Sequence, residues 1–66
     1  MNNPQYHIPP EILTTTVEAT KLLMILLEAE AAALARLDSE EAKRLAQERL
    51  VDAQTAERLY NFYLDL

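Results

Sequence analysis

The side chains that could do chemistry include two carboxylates within the most hydrophobic part of the chain, Glu28 and Glu30. Acid–base catalysis needs convergent groups, whereas residues two positions apart on a helix point roughly 200° apart. We interpret Glu28 as a solvated residue at the edge of an apolar face. Glu30 is either solvated as well or paired across a helix–helix contact with Arg49 or Lys43.

The hydroxyl and imidazole groups give no catalytic pattern. Residues 14–16 are three consecutive threonines without a base nearby, because the single histidine, His7, lies among prolines near the N-terminus. His7 has no partner at the spacing that zinc or iron sites use, and the chain contains neither Cys nor Gly. Tyr60 and Tyr63 are interpreted as core or interface aromatics. We therefore predict a protein that is not an enzyme and has no metal or cofactor.

Size and charge restrict the remaining functions. With 66 residues and no Cys, the chain falls below the roughly 70–80 residues at which one core usually suffices, and it has no disulfides to compensate. Association with another protein is the remaining source of stability, and a homo-oligomer, most simply a dimer, is expected. The net charge of -5 argues against nucleic-acid binding and against docking on an anionic membrane.

A membrane-spanning segment is not expected either. Residues 22–27 form a continuous apolar run, but Glu28 ends it after six residues, whereas a spanning helix needs about 20. No basic segment precedes the run, so it does not resemble a signal peptide. The predicted location is the cytoplasm.

Proline positions and apolar periodicity predict the elements. Residues 1–9 should form a flexible leader, and residues 10–66 a single helical-hairpin domain with helices over about 10–37 and 39–65. Pro10 suits a first helical turn, where its missing N–H is not needed. The first helix carries two adjacent apolar seams. The first seam is Leu13, Val17, Met24, Leu27, Ala31 and Leu34, and the second seam is Ile12, Ala19, Leu23, Leu26, Ala33 and Leu37.

Both seams end together after Leu37. Continued in the same register they meet mostly charged residues, and a new apolar stripe begins about 100° away, from Ala42 to Tyr63. A turn with Asp38 or Ser39 as the N-cap of a second helix accounts for this change. The fold class is therefore all-α, an antiparallel hairpin that assembles into a four-helix bundle or pairs with partner helices. One bent helix is the alternative, since no Gly is present to end the first helix.

A hairpin of two helices cannot bury all of these apolar groups. The first helix has two seams but only one neighbour, and apolar and aromatic residues surround the end of the second helix. These surfaces predict an interface with a partner or a second copy. The predicted interface residues are Leu23, Leu26, Leu27, Leu34, Leu59, Tyr60, Phe62, Tyr63 and Leu66.

Residues 26–38 have the form LLxxExxALxxxD, and Glu48-Arg49-Leu50 follows at about ten residues. Over residues 22–50 the chain resembles the amino-terminal helical pair of the FlgN-type flagellar export chaperones. The resemblance implies a cytoplasmic, acidic, all-helical protein that holds hook-filament junction subunits before export. That family is roughly twice as long, and its cargo-binding portion has no counterpart in these 66 residues.

Two functions remain. One is a non-catalytic interaction module, such as a small export-chaperone-like or adaptor protein, that binds an amphipathic helix of a partner. The other is a structural homodimerisation module whose apolar faces are buried in a four-helix bundle.

Overall fold

The computed structural model describes residues 7–66, which form two antiparallel α-helices. Helix α1 spans Pro10–Ala35 and helix α2 spans Glu40–Leu64. No strand occurs in this part of the chain. The predicted all-α hairpin is therefore confirmed, and the single bent helix is excluded. Of the predicted leader, residues 1–6 lie outside the described residues, and residues 7–9 precede α1 without regular structure.

The start of α1 follows from its prolines. Pro9 is extended, with φ -56° and ψ 142°, and its carbonyl accepts a hydrogen bond from the Leu13 N–H at 2.9 Å. Pro10 occupies the first turn, and Glu11 lies beside the positive end of the helix dipole. Proline chemistry thus fixes where α1 begins, without a capping side chain.

The reversal between the helices needs no left-handed residue. Helix α1 ends at Ala35, two residues before the predicted end, and Arg36 keeps a helical conformation, with φ -80° and ψ -16°. Ser39 is extended, and its Oγ accepts a hydrogen bond from the Ala42 N–H at 3.2 Å. No described residue has a positive φ. The extended N-cap therefore turns the chain, which explains why Gly is dispensable.

The contact between α1 and α2 repeats every seven residues. From α1 it uses the first seam together with Thr20, which is buried and donates its hydroxyl to the Thr16 carbonyl at 2.7 Å. From α2 it uses a stripe at alternating spacings of four and three residues, the arrangement of a coiled coil. That stripe consists of Ala42, Ala46, Arg49, Ala53, Ala56, Tyr60 and Tyr63.

The core that results is narrow. The five buried hydrophobic residues described are all alanines, and no large side chain among the described residues is fully buried. The principal-axis extents are 52 × 20 × 12 Å, and the radius of gyration is 15.4 Å, against roughly 11 Å for a compact domain of this length. The hairpin is therefore a single layer with two broad sides open to solvent.

Candidate protein-interaction face

One broad side of the hairpin carries large apolar side chains from both helices. A groove of about 310 Å³ runs along it between Leu23 and Leu27 of α1 and Ala56 and Leu59 of α2. Residues three or eleven positions away along a helix lie on the same side. We call this side the leucine face, and it consists of Ile12, Leu23, Leu26, Leu59 and Phe62, all exposed; Leu66, also exposed, lies just beyond the end of α2.

The opposite side has smaller and more polar residues. Its grooves are lined by alanines and by charged or amide groups that include Glu28, Lys43 and Gln47. Ile25 belongs to this side, because it lies seven residues from Glu18 and from Ala32, which both line these grooves. Leu50 lines the same side. The opposite side therefore also exposes large apolar residues, Ile25, Leu50 and Leu64, but its grooves include charged and amide groups beside them.

The leucine face is divided along its length. Towards the connection between the helices, the Arg49 Nε lies 2.8 Å from Glu30 Oε1, and the Arg49 Nη1 lies 3.6 Å from Asp52 Oδ2. Glu48 is exposed one position away. The pairing of Glu30 with Arg49, one of the two alternatives raised by the sequence, is therefore the one the structure contains. Asp52 also lines the apolar groove, so an acidic, ion-paired zone reaches from the side of the connection into the apolar zone.

The aromatic residues at the open end lie on different surfaces. The rings of Phe62 and Tyr63 are in edge-to-face contact, with centroids 5.4 Å apart and planes at 75°. Tyr63 lies beside Leu13 and Val17 of α1, whereas Phe62 lies on the leucine face. Tyr63 therefore helps to hold the open end of the hairpin together, and Phe62 extends the apolar surface.

The nine predicted interface residues fall into two groups. Five are exposed, four of them on the leucine face and Leu66 just beyond the end of α2, and four lie half-buried in the contact between α1 and α2. The exposed group is Leu23, Leu26, Leu59, Phe62 and Leu66, and the half-buried group is Leu27, Leu34, Tyr60 and Tyr63. Ile12 was not among the predicted interface residues although it belongs to the second seam. Membership of that seam was the signal that could have identified it.

Neither metal ligands nor orphaned polar groups are found at the leucine face. Within residues 7–66, no three His, Cys, Asp or Glu side chains are grouped so that they could hold a metal ion. In the same range, every buried side-chain nitrogen or oxygen has a hydrogen-bond partner. Neither described helix combines the length and the hydropathy that crossing a membrane requires.

No protein-family model matches this chain, and searches of curated proteins and of solved structures give no significant match. The resemblance to FlgN-type chaperones stays a prediction. What is known of the leucine face comes from its geometry.

Proposed function

We propose that this protein is a non-catalytic, cytoplasmic interaction module that covers its leucine face with helices of another polypeptide chain. The observation that carries the proposal is the leucine face itself. Both helices expose about 42–58% of several large apolar side chains on one side, while the buried hydrophobic residues between them are alanines. Contiguous exposed apolar surface of this kind usually marks an interaction site.

The shape of the leucine face favours a helical partner. Its two parallel rows of apolar side chains, one from each helix, enclose a shallow groove over Ala56. An amphipathic helix that lies in such a groove places residues at i, i+3, i+4 and i+7 against both rows. An export-chaperone-like or adaptor role, as the FlgN-type resemblance implies, would use this surface for a helix of a different protein. A structural homodimerisation module would use it for a second copy.

Site-specific photocrosslinking in the source cells tests the proposal. A diazirine-bearing amino acid is placed at Leu23 or at Leu59, which are 49% and 45% exposed on the leucine face. The matched controls are Ile25 and Leu50, which are 47% and 42% exposed on the opposite side. We expect protein crosslinks from the leucine-face positions and few from the controls. Equal crosslinking from all four positions would show that the leucine face is not a preferred interface.

A further inference from the structure

We propose that the polypeptide covering the leucine face is a second copy of this chain. It is related to the first by a two-fold axis parallel to the long axis of the hairpin. The two connections between helices then lie at the same end, and α1 of each copy packs on α2 of the other. This inference rests on the proposed function, because it names the partner of the same face.

The exposed area of the chain is large enough to include a dimer interface. The chain exposes 5259 Å², whereas a compact monomer of 7.5 kDa exposes about 4200 Å². The excess of about 1000 Å² compares with the roughly 800 Å² that each partner contributes to a stable interface of standard size. The excess is spread over both broad sides of the single layer, and a second hairpin stacked on the leucine face covers one of them. The occupant that fits is thus another two-helix layer of similar length.

The lengthwise distribution of charge on the leucine face distinguishes two orientations of the second copy. With both connections at the same end, the apolar zone around Leu23 and Leu59 faces the same zone of the second copy. Glu30 of each copy then lies opposite Glu48 of the other, beside Arg49 and nearer the connection, while Asp52, which lines the apolar groove, keeps its contact with Arg49. With the connections at opposite ends, Glu48 of one copy would lie over the apolar zone of the other. Burying an unpaired carboxylate there would be strongly unfavourable.

Side-chain sizes fit the same orientation. Leu13 and Tyr63 line one groove, and Ala31 and Ala46 line another. These two pairs show which residues of α1 and α2 lie at the same position along the long axis of the hairpin. The two-fold axis keeps each residue at its position along the long axis, so Ala19 of one copy faces Leu59 of the other. By the same relation, Thr16 faces Phe62 and Leu23 faces Thr55. Each of these pairs combines a large residue with a small one, so the two layers can interdigitate.

The two threonines in these pairs can be covered without leaving a hydroxyl unpaired. Thr16 donates its Oγ1 hydroxyl to the Ile12 carbonyl at 2.9 Å, and Thr55 donates to the Val51 carbonyl at 3.3 Å. Both side chains therefore satisfy their donors within their own helices. Their methyl groups remain available for contact with Phe62 and Leu23 of the second copy.

Distances between single spin labels test this arrangement, because one label per chain reports only on separations between copies. The chain has no Cys, so Glu11→Cys and Asp38→Cys each provide one attachment point, at the open end and at the connection. With the connections at the same end, we expect both labels to give about 20–35 Å, from helix axes about 8–10 Å apart and the reach of the labels. Distances of about 40 Å or more at both positions would overturn the orientation, since roughly 27 residues of helix would separate the labels.

A variant pair separates this inference from the proposed function. Ala19→Glu places a charge against Leu59 of the second copy and should abolish the dipolar signal, whereas Ala32→Glu on the opposite side should leave it intact. If the unsubstituted labelled chains give no dipolar signal at concentrations of about 100 μM, the second copy is excluded. Photocrosslinks from Leu23 to a different protein would then still support the proposed function. Without such crosslinks, both the second copy and the proposed function would be refuted.

Discussion

Replacing Leu23 and Leu59 together by Ala should separate the two copies while leaving each hairpin folded. Both side chains line the groove of the leucine face, and they are 49% and 45% exposed. Full burial of a leucine contributes roughly 1.5–3 kcal/mol, so covering the exposed half contributes about 1 kcal/mol for each residue. The dimer contains four such side chains.

The expected loss follows from this estimate. After allowance for the methyl group that Ala retains, the double variant should weaken association by about 2–5 kcal/mol, which corresponds to an increase in Kd of about 30- to 4000-fold. The matched control is Ile25→Ala with Leu50→Ala, because these residues have nearly the same exposure on the opposite side. The control should lose similar contacts within the hairpin but little association.

Sedimentation velocity over a wide concentration range measures the Kd, and thermal unfolding followed by circular dichroism measures stability. Because only the folded state dimerises in this scheme, the Tm of the unsubstituted protein should rise with concentration. The Leu23→Ala/Leu59→Ala variant should lose this dependence within the same range. Equal weakening by both variant pairs, or a monomeric unsubstituted protein whose Tm ignores concentration, would refute the reasoning.

Two further predictions concern the hairpin itself, and both are measured by urea unfolding at fixed concentration. Ser39→Ala should lower the free energy of unfolding by about 1 kcal/mol, because it removes the acceptor for the Ala42 N–H. Ser39→Asp supplies another acceptor and should retain most of the stability of the unsubstituted protein. Equal stability of the Ser39→Ala and Ser39→Asp variants would argue against the cap. Ala53→Leu should destabilise by about 1–3 kcal/mol, because Ala53 is 3% exposed between the helices. Ala32→Leu, at an exposed position, is its control, and similar stability of the two variants would show that α2 has no need of small residues at its contact.

The sequence was sufficient to predict the elements because their signals are local. Prolines determined where α1 begins, and the simultaneous loss of both seams after Leu37 located the reversal. Ser39 was one of two predicted N-caps, and the structure confirms it. The predicted end of α1 was two residues too late, because no Gly or Pro marks it and the last turn loosens gradually through Arg36.

The sequence alone also determined that α1 has more apolar surface than one neighbouring helix can cover, since that follows from counting apolar positions around its circumference. Its periodicity did not determine which seam faces α2, because both seams have the same spacing. Tertiary packing placed the first seam against α2. Some of the nine predicted interface residues therefore lie in the contact between the helices, and others are exposed. The first seam contains no charged residue, whereas Glu30 interrupts the second. Against the alanine stripe of α2 the first seam packs closely, while Glu30 stays at the edge, where Arg49 can reach it.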